Sequence, residues 1–190
     1  MDDLLGAVCT VGRTNFGASV THVCSSLTTA LQDTEKLLLQ GGNGSGSGPN
    51  YSESVRKESM RILESLRIGV LFVSHLCVDD FQGSITGSST SDTPTIPPFV
   101  LDAFSLSGNE IAGLVRQLSA LMSQILQAQM HILGMENGLS HPLLSPLLIQ
   151  NLFHFFAEYA LRYFDPDPSV YSVRVALEIP FVYTAHGKHN

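Results

Sequence analysis

There is no tryptophan in this 190-residue chain, and only 14% of its residues are charged, where a soluble globular domain carries about a quarter. So few charges cannot coat an isolated globule that is 44% hydrophobic with a mean hydropathy of +0.17. Part of the surface is therefore expected to pack against something else: a partner chain, a membrane, or further copies of a repeat. A second shortage argues against the membrane. The longest apolar run, Ile68 to Val78, already contains Ser74 and His75, and a spanning helix needs about 20 predominantly apolar residues.

Basic residues are also scarce. Ten Lys and Arg against seventeen Asp and Glu leave a net charge of −7, and no basic run is present to neutralise phosphates, which disfavours nucleic-acid binding. The opening MDDLL places acids where a secretory or mitochondrial leader carries bases. Three cysteines, Cys9, Cys24 and Cys77, are odd in number and lie in apolar helical patterns, as buried reduced thiols do in an intracellular protein. Asn43-Gly-Ser45 and Asn50-Tyr-Ser52 match the glycosylation sequon but, without a leader, read as linker composition.

What is present is helical periodicity. From about Ser107 to Leu133, Ile111, Leu114, Val115, Leu118, Leu121, Met122, Ile125 and Leu126 recur at steps of three and four, which predicts a long amphipathic helix. Ser107 and Glu110 form a capping-box pattern at its start, and Gly134 suits the left-handed position past its end. Ser145-Pro146 predicts the N-cap and first residue of another helix, with Leu148, Leu152, Phe155, Phe156, Tyr159 and Tyr163 as its stripe and Asp165-Pro166-Asp167-Pro168 as its stop. About ten residues rich in Gly, Asn and Ser join the two as an antiparallel hairpin.

The amino-terminal half repeats this plan. A helix from Asp2 to about Gly12 is joined, by a turn of four or five residues around Thr14 and Asn15, to a longer one from Ala18 to Leu39 carrying Val20, Val23, Leu27, Leu31 and Leu38. A further helix, Glu53 to Val78, aligns Ile62, Leu66, Val70, Val73 and Cys77, and its Gly69 either weakens it or admits a close neighbour. Residues 40–52 are expected to form a flexible Gly/Ser loop, 79–97 a long polar loop with a short helix from Pro98 to about Phe104 after it, and 169–190 a loose tail. Tyr171 to Ala176 alternates too briefly to carry a strand. The chain thus reads as one all-α region over 1–190, either a segment of a HEAT-type solenoid of helical hairpins or a closed helical bundle; periodicity does not choose between them.

Chemistry is hard to find. Cys9, Cys24 and Cys77 are nucleophiles by residue type only, since reactive thiols want an electropositive, partly exposed setting. The glycines of 41–48 match no phosphate-binding motif. His22 with Cys24, and His186 with His189, are pairs with no second pair to complete a metal site. His75, His131 and His154 fall within helical patterns. Asp79-Asp80 and Asp165 with Asp167 lie at helix stops, where solvation is the ordinary role of acids. The aromatic row Phe153, Phe155, Phe156, Tyr159, Tyr163 and Phe164 has helical spacing and no interleaved bases, so it reads as core and not as a base-stacking platform. No catalytic, cofactor-binding or metal-binding residue is assigned, and the chain is expected not to be an enzyme.

Several segments, in order, resemble one family. Asp3-Leu-Leu-Gly-Ala-Val-Cys-Thr-Val-Gly-Arg13 is similar to a helix ending in Gly-Arg in the exportin-4 type of importin-β-like transport receptors. Leu71-Phe-Val-Ser-His-Leu-Cys-Val-Asp-Asp80, Gln82-Gly83 and Thr93-Pro-Thr-Ile-Pro-Pro98 resemble a later run of the same receptors, as do Leu143-Leu-Ser-Pro146 with the helix to Tyr163, and Glu178-Ile-Pro-Phe181. The family's aromatic helix carries tryptophans, and this chain has none, which leaves a neighbouring subfamily such as exportin-7 open. The resemblance implies stacked HEAT-type hairpins from the middle of a longer receptor that shuttles between nucleus and cytoplasm. It implies the GTP form of Ran, protein cargo and nuclear pore proteins as partners, with the main Ran-binding repeats outside this stretch. A solenoid segment with exposed hairpin faces is further expected to be aggregation-prone alone.

Overall fold

The computed structural model describes residues 2–41, 51–77 and 98–164. Among them lie five α-helices: α1 (Asp2–Arg13), α2 (Phe16–Gly41), α3 (Glu53–Cys77), α4 (Pro98–Gly134) and α5 (Pro146–Tyr159). A 3-10 turn, Gly138–Ser140, lies between α4 and α5, and a π-helical turn, Ala160–Phe164, continues α5. The described residues contain no strand, as the all-α reading requires. The loops expected within 42–50 and 79–97, the tail 169–190 and the Tyr171–Ala176 alternation lie outside the described residues.

Local chemistry sets most helix boundaries. The side chain of Asn15 accepts from the amide of Ala18 at 3.3 Å and so caps α2, shortening the connection from α1 to Thr14 and Asn15 alone. Ser52 accepts from the amide of Val55 at 3.3 Å at the start of α3. Ser145 accepts from the amide of Leu148 at 3.2 Å, with Pro146 behind it, as its sequence position predicts. Two expectations need correction. The helix expected from Ser107 and the short one expected after Pro98 are a single 37-residue α4. The Ser and Gly between them cost at most about 1 kcal/mol each in a helix interior, and a continuing helix avoids the cost of a second nucleus. Gly134 is the last residue of α4, and the left-handed conformation expected there falls to Asn137, with φ 61°. The intervening turn is closed by bonds from Met135 N to Ile132 O and from Gly138 N to Met135 O.

The helices form two rows. Leu27 faces Gly69 and Asp33 reaches Arg61, so α2 and α3 are antiparallel. Gly17 near the start of α2 lies against Ile111 and Leu114, while Leu37 near its end lies beside His141 to Leu143, just past α4. Neighbours α2 and α4 therefore run parallel. Val55 and Ser59 early in α3 meet the same His141 to Leu143 stretch that leads into α5, and the Tyr163 hydroxyl donates to the Cys77 carbonyl at 2.9 Å. Neighbours α3 and α5 are parallel too. On the other flank of α3, Cys9 lies over the carbonyl of Phe72, and the Arg13 guanidinium donates to the carbonyl of His75 at 2.7 Å, so α1 follows the same direction. One row is α1, α3 and α5, and the other is α2 and α4.

A continuous core lies between the rows. It contains Val20 and Leu27 of α2, Ile62, Leu66, Val70 and Val73 of α3, Val115, Leu118, Met122 and Ile125 of α4, and Leu148, Leu152, Phe155 and Tyr159 of α5. Each lies on an apolar stripe that the sequence periodicity marks. Gly69 is the point of closest approach: a Cβ there would stand 2.4 Å from Leu27 Cδ2. Replacing Gly69 by Ala gains about 1 kcal/mol of helix propensity but forces an overpacking cost of about 1–3 kcal/mol. Gly69→Ala is expected to lower stability by up to about 2 kcal/mol in urea denaturation. In a Leu27→Ala background, where the obstacle is gone, the same substitution should instead raise the urea midpoint.

Candidate functional site

Among the described residues, α2 and α3 line a larger and a smaller concavity. The larger, about 250 Å³, is a groove on the outer surface of the pair lined by Ser26, Thr29, Ala30, Asp33, Arg61, Ile62 and Ser65. Asp33 bonds Lys36 at 3.0 Å and reaches Arg61 at 3.5 Å, while Arg61 holds Glu58 at 2.6 Å. The Lys36 hydrogen bond holds the Asp33 carboxyl below its ordinary value, and the Arg61 hydrogen bond does the same for Glu58. The groove thus presents fixed charges of both signs with hydroxyls between them.

The smaller, about 90 Å³, lies where α2 ends, α3 begins and the α4–α5 connection crosses them, and is lined by Leu37, Tyr51, Val55, Ser59, His141, Pro142 and Leu143. Its walls are mostly apolar. Tyr51 meets the His141 ring edge-on, with centroids 5.3 Å apart. His141 Nδ1 accepts from the amide of Leu143 at 3.2 Å, which puts the proton of the neutral ring on Nε2. Burial holds the imidazole below its ordinary pKa, and among the described residues no Asp, Glu, Lys or Arg lines the pocket to offset a charge. Ser59 is fully buried and its hydroxyl makes no hydrogen bond to the protein.

Gln129, 1% exposed, fixes this connection from below. Its amide donates to the Leu143 carbonyl at 3.0 Å and accepts from the Ser145 amide at 2.9 Å. One buried side chain thereby satisfies both polar groups flanking the cap of α5. Periodicity does not reveal this, because the partners stand 14 and 16 residues away.

The residues weighed for chemistry are mostly kept apart. Cys9, Cys24 and Cys77 are all buried free thiols. Burial raises the Cys24 thiol, and it raises Cys77 further, with Cys24 and Cys9 nearby adding to the effect, so the core assignment of these thiols agrees with their setting. His22 is exposed while Cys24 is buried, because residues two apart point to different sides of a helix. His131 and His154 are exposed, and His75 is half-buried. Asp79, Asp80, Asp165, Asp167, His186 and His189 lie outside the described residues. No group of three or more His, Cys, Asp or Glu positioned to hold a metal ion occurs among the described residues. None of the described helices is long and apolar enough to cross a membrane.

No family model, curated protein or solved structure matches this chain.

The aromatic row divides. Phe155, Tyr159 and Tyr163 are buried and stacked, with centroids 5.4 and 4.5 Å apart, and burial pushes the Tyr159 phenol up to about 12 against the pull of Ser119. Phe156 is partly buried against the core, and Phe153 is 56% exposed.

The pocket generates a pH prediction. A histidine whose folded pKa lies below the unfolded value of about 6.5 takes up its proton more readily in the unfolded chain. Its contribution is fully present above pH ~6.5 and is lost as pH falls from there towards the lowered folded pKa. His141→Asn keeps an acceptor for the Leu143 amide without titrating. Urea denaturation between pH 7.5 and 5.5 should show a smaller loss of stability in this variant than in the wild type, and equal losses would contradict the assignment.

Proposed function

We propose that this chain is a segment of a helical-repeat protein-binding module, of the kind found in nuclear export receptors, acting by shape and surface complementarity without catalysis. The observation that carries the repeat reading is the direction of neighbouring helices. In an up-down-up-down bundle, adjacent helices are antiparallel. Here the α4/α5 hairpin lies beside the α2/α3 hairpin as a translated copy, α4 parallel to α2 and α5 parallel to α3, which is the relation that stacking of hairpins generates. A HEAT-type solenoid is the simplest extension of that relation, and the low charge of the chain suits an array whose end faces are covered by neighbours.

The transport reading is supported by the ordered sequence resemblance to exportin-4-type receptors. Under it, the protein takes up cargo in the nucleus with the GTP form of Ran, engages nuclear pore proteins and releases cargo in the cytoplasm. Cargo and GTPase affinities would be linked through the shared curvature of the array. The charge-bearing groove of Ser26, Asp33, Arg61 and Ser65 is the surface within this segment suited to a polar partner. A helical scaffold unrelated to transport would use the same stacking, and Ran separates the two. Purified complete gene product should capture Ran loaded with a non-hydrolysable GTP analogue and leave the GDP form behind. Equal or absent capture of both forms would remove the transport reading and leave the scaffold.

A further inference from the structure

The turn between α4 and α5 holds a dipeptide with chemistry of its own. Asn137 is followed by Gly138, and an asparagine before a residue without Cβ is open to attack on its side chain by the next backbone nitrogen, because no side chain blocks the approach. The Gly138 nitrogen forms a bond to the Asn137 Cγ and gives up its proton, the bond from Cγ to the side-chain nitrogen breaks, ammonia leaves, and a cyclic imide results. Water then opens the ring at either carbonyl. One opening gives aspartate, and the other gives isoaspartate, whose main chain runs through Cγ and is longer by one carbon. Water is the only co-reactant.

The folded turn opposes this reaction by geometry. Asn137 is exposed, so water reaches it freely. Its backbone lies in the left-handed region, at φ 61° and ψ 22°, which asparagine adopts more readily than most residues. At that ψ the tetrahedral Cα turns the Gly138 nitrogen nearly trans to the Asn137 Cβ, whereas ring closure needs the two eclipsed. The Gly138 N–H donates to the Met135 carbonyl at 2.9 Å, and bonds from Ser140 N to Asn137 O at 2.9 Å and from His141 N to Gly138 O at 3.0 Å fix the flanking peptide planes. Gly138 has no room to shift: it is buried, and a Cβ on it would stand 2.1 Å from the Ile132 carbonyl oxygen. Rotation into the reactive arrangement must break these contacts together. We propose that Asn137 is a modification site gated by the fold: opening of the turn lets the imide form, and the extra main-chain carbon of the isoaspartate then keeps the turn from closing again. The turn leads into His141 to Ser145, the stretch that Gln129 holds by two hydrogen bonds, so lengthening the chain there displaces the cap of α5.

Peptide mapping by mass spectrometry tests it on the full chain held for days in mildly alkaline buffer, with and without urea. The sequence's other Asn-Gly pair, Asn43-Gly44, is mapped in the same digest, so the two sites are counted separately. Conversion at Asn137 should be at least about tenfold slower in native buffer than in urea, as a reaction that waits on local opening requires. Wild-type chain aged in urea and returned to native buffer should show a lowered urea midpoint. Asn137→Gly accepts the left-handed conformation, retains Asn43 and has no amide to lose at 137, so it should return to its unaged midpoint. Equal rates with and without urea would overturn the gate, and no conversion in urea would overturn the site. A converted wild type that regains its midpoint, or an Asn137→Gly chain that loses as much on ageing, would overturn the effect assigned to the turn.

Discussion

The arrangement depends on two hydrogen bonds to the last described turn of α3, where Leu76 and Cys77 are buried. A buried carbonyl is a strong acceptor, and the donors here come from both flanks: Arg13 of α1 binds the carbonyl of His75, and Tyr163 in the π-helical turn after α5 binds that of Cys77. These bonds hold α1 on one side of α3 and α5 on the other. The π-helical turn carries the buried Tyr163 that makes this bond, and π turns are frequently found where a side chain has a special task.

Low charge creates a second requirement, because the chain must place many Ser, Thr and Gln residues in helices without ion pairs to absorb them. In α2, Thr21, Thr28, Thr29 and Thr34 each donate to the carbonyl four residues back. Ser74 does the same in α3. This back-bonding lets Thr34 and Ser74 sit buried without a tertiary partner. Gln129 needs a tertiary partner and has two, at the connection that caps α5. The exposed Arg67–Glu64 and Arg61–Glu58 pairs are of the surface kind that adds little to stability, so the fold is held by its core and by these buried polar contacts.

These causes also explain what could be read in advance. Stripes such as Ile62, Leu66, Val70 and Val73 follow from local periodicity, and Ser145-Pro146 marks a helix start by local capping chemistry. Gly69 could be flagged, but only packing decides between its two readings, and Leu27 at 2.4 Å decides for close approach. The Ser107 start failed because capping residues tolerate a helix interior when the helix on either side is already formed. The order of the rows was out of reach, since Tyr163 and Cys77 are 86 residues apart and no local pattern encodes their meeting. The pocket at Ser59 and His141 was invisible for the same reason: it gathers residues from α2, the start of α3 and the α4–α5 connection.

Parallel neighbours have an electrostatic consequence that antiparallel bundles avoid. Helix dipoles aligned side by side gather negative partial charge along one edge of the row, at the carbonyl ends of α1, α3 and α5. Of the chain's few bases, Arg13 lies at the end of α1 and Arg162 at the end of α5, both at that edge. Arg13 reaches a carbonyl in the last described turn of α3 directly, and Arg162 bonds the carbonyl of Glu158 as well as its carboxylate. Both are positioned where a cation opposes the accumulated dipoles. An array that extended the row by further parallel helices would need a base or hydrogen-bond donor at each added carbonyl end, and that spacing of bases, more than any repeated apolar letter, is the sequence signature such a stack requires.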